Sequence, residues 1–259
     1  MGKVALITGA SSGIGKELAY IHAQSKGDLI LVARREKELN EIKEDLVANN
    51  AVNVHVITAD LSIQDEAQVL YKKIQSLRVE VDYLFNNAGF GQIGRFDKLP
   101  WARQRQMINL NVMALTELTH LFLPQMIARK SGKILNTSST ASLIPGPLQA
   151  VYYATKAYVT SFSNALSEEL VGTGVTVTNL MPGATETGFG ADSGMDKTPM
   201  FQKTASAKSV AQDGYNAMLK GKLDVISGLT SSQKLMMAFV PLTPKKVLLK
   251  QVKSMQTVK

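Results

Sequence analysis

The sequence predicts an α/β fold: a doubly wound parallel sheet of about seven strands with helices on both faces. Three observations predict it. Short apolar runs alternate with helical patterns along the whole chain, as they do in layered α/β domains. Many of the runs are rich in β-branched residues and apolar at successive positions, as strands covered on both sides must be. The first run passes directly into a glycine-rich turn and then a helical pattern, the setting in which such a turn approaches phosphates.

At 259 residues, 45% of them hydrophobic and 19% charged, the chain has ample apolar material for a sizeable core. No linker, repeat or low-complexity stretch divides it, so residues 1–259 are expected to form a single domain. There is no cysteine, which excludes a disulfide framework, a thiol nucleophile and a cysteine zinc site. His22, His55 and His120 lie far apart without metal-ligand spacing. No metal is expected, and each reads as an ordinary structural histidine. The first apolar run begins too close to Met1 for a signal peptide. No run approaches the ~20 residues of a spanning helix, so a soluble, cytoplasmic protein is expected.

The net charge of +8 is unevenly placed. No acid follows Asp224, whereas Lys234, Lys245, Lys246, Lys250, Lys253 and Lys259 do, so the last 35 residues carry +6. The remainder is near neutral, and no nucleic-acid partner is expected.

Strands are expected at 3–8, 28–33, 53–59, 81–86, 132–137, 175–181 and 223–227. Helices are expected near 14–26, 36–49, 64–77, 100–129, 151–171 and 206–220. The first strand ends in Thr8-Gly9-Ala10-Ser11-Ser12-Gly13-Ile14-Gly15. Gly9 permits a tight turn, Gly13 lets the backbone approach a pyrophosphate, and Gly15 lets the helix pack closely on the strand. The phosphates would then face the free N–H groups of the helix N-terminus. The second strand ends in Arg34-Arg35, where an acid would hold the ribose hydroxyls of NAD. Two arginines suit a 2′-phosphate instead, which predicts NADP(H). Asp60, after the third strand, is placed to bond an adenine amino group or to cap the next helix. The fourth strand ends in Asn86-Asn87-Ala88-Gly89, small and amide residues that either admit a ligand closely or close a turn. Asn111 falls inside a long helix, where an asparagine is locally unfavourable and disturbs the backbone.

The fifth strand leads into Ser138-Ser139, and Tyr152 and Lys156 follow one turn apart on one face of the 151–171 helix. A hydroxyl, a phenol and an ammonium are thus set to converge.

Seven motifs now stand in order: TGASSGIG (8–15), Asp60-Leu61, NNAG (86–89), Asn111, Ser139, Tyr152 with Lys156, and Pro182-Gly183 with Thr187. On these the chain resembles the short-chain dehydrogenase/reductase family over essentially its whole length. The resemblance implies a Rossmann-like single domain that binds NADP(H). Gly9, Gly13 and Gly15 would shape the phosphate loop, with Ser11, Ser12 and Ile14 against the cofactor. Arg34 and Arg35 would select the 2′-phosphate. Asp60 and Leu61 would border adenine, and Asn87, Ala88 and Gly89 the adjoining ribose region. Pro182, Gly183 and Thr187 would flank the nicotinamide. The implied catalytic group is Asn111, Ser139, Tyr152 and Lys156, with family spacing choosing Ser139 over Ser138 and Tyr152 over Tyr153. Tyr152 would exchange the proton, Ser139 would hydrogen-bond the reacting oxygen, and Lys156 would lower the tyrosine's pKa and hold the ribose. Asn111 would tie a water to Lys156.

Two stretches leave the family pattern. Residues 188–208 are rich in Gly, Ser, Thr and Lys and are expected to form a lid over the substrate, with Phe189, Met195, Met200 and Phe201 as candidate pocket residues. Residues 229–259 form a basic extension in place of a short ending. Within it Thr243-Pro244 reads as N-cap and first helical residue. In 245–255, Leu248, Val252 and Met255 share a face opposite Lys246, Lys250 and Lys253. Such a helix either lies on an anionic membrane surface or, more commonly, packs its apolar stripe on its own domain or a partner. The resemblance also implies a homodimer or tetramer, the dimer through helices 100–129 and 151–171.

The expected function is hydride transfer between NADP(H) and a small-molecule carbonyl or secondary alcohol. A non-catalytic NADP(H)-binding sensor or scaffold is the alternative from another class. A peripheral membrane reductase of lipid-like carbonyls is a third.

Overall fold

Alternating side chains along each strand build two cores, one on each face of a single sheet. The computed structural model describes residues 2–257; Met1, and Val258 and Lys259 at the end of the basic extension, lie outside the described residues. In chain order the elements begin β1 (Val4–Thr8), α1 (Gly13–Gln24), β2 (Asp28–Ala33), α2 (Glu36–Asn50), β3 (Val54–Thr58), α3 (Glu66–Ser76) and β4 (Tyr83–Asn86). Then come α4 (Trp101–Ile108), a π-helical turn at Asn109–Ala114, α5 (Leu115–Ala128), β5 (Gly132–Thr137), α6 (Ala150–Glu169) and β6 (Val175–Pro182). The chain closes with β7 (Thr185–Glu186), α7 (Phe189–Ser193), β8 (Ala205–Ser206), α8 (Ala207–Leu219), β9 (Asp224–Ser227), α9 (Ser231–Phe239) and α10 (Lys245–Gln256).

Seven strands form one sheet in the order β3-β2-β1-β4-β5-β6-β9, and every pairing is parallel. Successive residues go to opposite faces. Ala5, Ile7, Leu29, Leu31, Phe85, Leu135 and Leu180 pack with Leu18, Leu39 and Met218 of α1, α2 and α8. Leu6, Ile30, Val32, Leu84, Ile134 and Val177 pack with Leu70, Leu118, Phe122 and Leu166 of α3, α5 and α6. Each fully buried aliphatic side chain stabilises the fold by roughly 1.5–3 kcal/mol relative to exposure. The strand order reverses between β1 and β4, and a crevice opens there at the carboxyl ends of the strands.

The seven expected strands and their intervening helices are present, with every boundary within two residues except in the 100–129 region. That helix is interrupted: the π turn separates α4 from α5 at Asn111, as an asparagine bonded away from the helix would require. The 188–208 stretch is more ordered than a loop, since it carries α7 and pairs β7 with β8. Thr243 is not the N-cap of α10. Its hydroxyl donates to Phe239 O at 3.3 Å, and the N–H groups of Val247 and Leu248 converge on Pro244 O, which makes Pro244 the cap. His22 is structural as expected, bonded through Nδ1 to the Tyr215 hydroxyl at 2.9 Å and through Nε2 to Lys3 O at 2.8 Å. Among the described residues no cluster of metal-ligating side chains occurs, and no helix is long and apolar enough to cross a membrane.

Candidate active site

A cavity of about 1000 Å³ runs along the carboxyl ends of the strands, from the glycine turn to the space under α10. At one end the turn after β1 is drawn tight. Gly9 and Gly13 have φ of +68° and +55°, a left-handed backbone that side chains resist. A Cβ on Gly13 would lie 2.8 Å from Thr187 Cγ2, so the turn and the residue after β7 nearly touch. A Cβ on Gly15 would strike Gly9 O and Asn87 Nδ2, so the glycine lets α1 seat against the turn. Gly9, Ser11, Ser12, Gly13 and Ile14 line the cavity; Gly15 stands behind its wall. Asn87 fastens that wall: its N–H donates to Thr8 Oγ1 at 3.0 Å and its Nδ2 to Thr8 O at 3.1 Å.

Arg34 and Arg35 border the same end. Arg35 Nη2 donates to Ser11 Oγ at 3.0 Å and Ser12 Oγ at 2.7 Å, folding the guanidinium over the glycine turn. Asp60 and Leu61 form the adjoining wall. Asp60 does not cap α3, whose N-cap is Asp65. Its Oδ1 instead accepts from Ser62 N at 3.0 Å and Ser62 Oγ at 2.7 Å. The donor set here suits a dinucleotide: a glycine turn at a helix N-terminus for the pyrophosphate, and a planar cation for a further phosphate.

Ser139, Tyr152 and Lys156 all line the cavity, as do Ala88, Gly89, Pro182, Gly183 and Thr187. Ser138 turns the other way, donating to Lys156 O at 2.8 Å and pairing with Thr160 Oγ1 at 2.8 Å. Ser139 Oγ accepts from Ala141 N at 3.1 Å, capping a short 3₁₀ turn. Burial pushes Tyr152 up to about 12, and the nearby Ser139 hydroxyl pulls the other way; Ser139 Oγ itself donates to Pro182 O at 3.4 Å. Lys156 lies 5.9 Å from the Tyr152 ring centroid. Its Nζ donates to Thr137 O at 2.7 Å, and burial brings it down to about 8. In the protein alone burial sets the direction of the tyrosine's shift.

Asn111 stands behind the wall. Its Oδ1 accepts from Phe90 N at 3.1 Å, and its Nδ2 donates to Phe90 O at 3.0 Å and to Thr155 Oγ1 at 3.1 Å. Both amide hydrogens are thus engaged, and the residue ties the segment after β4 to α6. A Cβ on Gly89 would lie 3.1 Å from Asn111 Oδ1 and 3.4 Å from Lys156 Nζ. An added side chain there would crowd the amide oxygen and meet the ammonium at ordinary contact distance.

A match to the short chain dehydrogenase family spans residues 3–198. The chain belongs to that family. An uncharacterized oxidoreductase of Bacillus subtilis is 36% identical over 71% of this chain and 69% of its own length. A ketoacyl reductase of Nostoc is 32% identical over 95% of this chain and 87% of its own. A short-chain dehydrogenase of Sphingobium yanoikuyae, solved in complex with NADPH, superimposes with a TM-score of 0.83 at 29% identity, covering 93% of this chain and 94% of that one.

The other end of the cavity is lined largely by apolar side chains, with Arg103, Asp192, Lys203 and Gln251 among them. Phe189, Met195, Met200 and Phe201 all line it, and the Phe189 ring lies 5.4 Å from that of Tyr152. Val252 of α10 is fully buried with Phe90, Met107, Ala141, Tyr152 and Tyr153. Gln256 Nε2 donates to the Tyr153 hydroxyl at 2.6 Å, and Gln149 Nε2 donates to Gln256 Oε1 at 3.1 Å. The basic extension therefore packs on its own domain and roofs the cavity. Several lining residues escaped the sequence reading. Phe90 directly follows the NNAG run, and Leu248 and Val252 lie on the apolar stripe of α10, so their positions carried a signal. Ile144, Arg103 and Met237 carried none.

Proposed function

We propose that this chain is an NADP(H)-dependent oxidoreductase that transfers a hydride between the nicotinamide and a carbonyl or secondary-alcohol substrate, with Tyr152 as general acid and base. The observation that carries this reading is the convergence of Ser139, Tyr152 and Lys156 in the cavity that begins at the glycine turn. The nicotinamide, when bound, supplies or accepts the hydride. Tyr152 donates the proton to the carbonyl oxygen, and Ser139 donates a hydrogen bond to the same atom as charge develops on it. A phenol held near 12 is protonated at neutral pH, the form that reduction needs. Lys156, brought to about 8, exchanges protons near neutrality and returns one towards Tyr152. Asn111 fixes the segment bearing Gly89 and Phe90 and so positions Lys156.

Arg34 and Arg35 support NADP(H) over NAD(H), as does the NADPH-bound relative. The ketoacyl reductase among the relatives accords with a carbonyl substrate. The apolar far end supports substrates with a bulky apolar group on the carbonyl. Absorbance of NADPH followed against a panel of ketones, aldehydes and 3-ketoacyl thioesters tests the reading. Tyr152→Phe is expected to reduce turnover about 10²–10⁴-fold while NADPH still binds. Unchanged turnover in that variant would remove Tyr152 from the chemistry.

A further inference from the structure

The segment that roofs the cavity has a second face. Gln233, Met237 and Val240 of α9 and the turn after it line the cavity. At about 100° per residue these three share one side of the helix, and Leu235 and Phe239 point the opposite way. Leu235 is 61% exposed, Phe239 56%, and Leu242 just beyond 78%. Large apolar side chains scattered singly over a surface mean little, but three on the outer side of one short segment form a patch. In α10 the same division recurs: Leu248 and Val252 face the cavity, while Lys246, Lys250 and Lys253 fall on the opposite side and are exposed. Lys234 and Lys245 are exposed as well. No acid occurs after Asp224 to balance them.

We propose that α9 and α10 dock this protein on an anionic lipid surface, with Leu235, Phe239 and Leu242 inserted at the headgroup boundary and the lysines against the anionic headgroups. A second copy of this chain fits the patch poorly, since pairing it with itself would set lysines against lysines. A lipid surface satisfies both components at once, the apolar side chains by insertion and the cations by attraction. The inner faces of the same two helices form the cavity roof, so docking places the roof of the substrate site at the bilayer. An apolar carbonyl compound dissolved in the bilayer is then the substrate class this geometry favours. That last step rests on the oxidoreductase reading; the docking surface does not.

Sedimentation of the full chain with vesicles tests the surface without using activity. Vesicles of phosphatidylcholine alone are compared with equal parts phosphatidylcholine and phosphatidylglycerol, at low and high salt. The protein is expected to sediment with the anionic vesicles at low salt and to be released by high salt. Replacing a lysine, as in Lys246→Ala or Lys250→Ala, is expected to weaken binding about fivefold each. Phe239→Ser with Leu242→Ser is expected to abolish sedimentation while circular dichroism shows the fold retained. Three results overturn the proposal: no sedimentation with anionic vesicles at low salt, equal sedimentation with both vesicle types, or full sedimentation of the Phe239→Ser, Leu242→Ser protein. A shift in mass by light scattering without lipid, removed by the same two substitutions, would make the patch a contact between copies instead. Should vesicles bind while NADPH and carbonyls give no turnover, the surface stands and the catalytic reading falls.

Discussion

The two ends of the cavity are built from different material. At the glycine-turn end the turn itself is backbone: Gly9 and Gly13 in left-handed conformations, backed by Gly15 against Gly9 O and by Asn87 holding Thr8. At the other end the walls are the side chains of Phe189, Met200, Leu248 and Val252, contributed by short elements far apart in sequence. Backbone walls admit one shape and punish any added atom. Walls of Met, Phe and Leu repack around additions and deletions. One end is therefore suited to a ligand of one fixed shape, and the other to ligands of varied shape.

The sharpest way to break this contrast is to make one substitution in the turn and again at the start of α7, the helix that carries Phe189 to the apolar end. In Gly15→Ala the new Cβ would strike the backbone of Gly9 in the turn and the Asn87 amide that holds it. Its unfolding free energy in urea is expected to fall by about 3 kcal/mol, the upper end for overpacking. Gly188, which caps α7, has φ −61° and ψ −12°, and a Cβ there would meet nothing within 4 Å. Gly188→Ala should be neutral or stabilise by about 0.4–1 kcal/mol through the unfolded chain. Equal losses at the two positions would refute the distinction.

The two ends also differ in how far the sequence reveals them. A ligand approached by backbone demands glycine at fixed spacing, and that demand is written at 9, 13 and 15. Tyr152 and Lys156 are similarly fixed by one turn of helix. The apolar end makes no such demand. Leucine and methionine serve a pocket and a core equally, so Met237 and Ile144 look like any other apolar residue. Asn111 lies between these cases. Its disturbance of the helix was legible, but its partners, Phe90 and Thr155, come from folding β4 and α6 together. The Thr243 cap failed for a related reason: the preceding turn, which takes its hydroxyl, has no sequence marker of its own.

Where the ends meet, Lys156 gives a pH signature. Burial holds it at about 8, below the ordinary lysine value of 10.5. Between these values the unfolded chain holds the proton more often, so this group makes stability rise with pH across that window. Below about 8 the buried ammonium is destabilising in full. The stability of Lys156→Met relative to the natural protein should therefore be greatest below pH 8 and decline by about 3 kcal/mol by pH 10.5. Urea midpoints of both proteins across this range would reveal it. A constant difference would mean that Lys156 is not desolvated.

Arg35 probes the constant end alone. Its bonds to Ser11 and Ser12 are of the charge-assisted kind that a phosphate would replace. Arg35→Ala should weaken NADPH binding about ten- to hundredfold, following the ~1.5–3 kcal/mol of hydrogen bonds to charged groups. NADH binding should change little. Fluorescence titration of both nucleotides decides it, and a parallel loss for the two would assign Arg35 to holding the turn rather than to reading the 2′-phosphate.

The apolar end has a probe of its own. Gln256→Ala removes the donor to Tyr153 at 2.6 Å and the acceptor for Gln149 at 3.1 Å. It spares Val252, whose burial still holds α10 in place. The loss should amount to about 2 kcal/mol, two ordinary hydrogen bonds at about 1 kcal/mol each. Because α10 touches the roof and not the glycine turn, the change should appear as a several-fold rise in KM for bulky carbonyl substrates. NADPH affinity should stay constant. Were NADPH affinity to fall in step with KM, the two ends would be mechanically coupled through α6, which carries both Tyr152 and Tyr153, and the cavity would have to be treated as one unit.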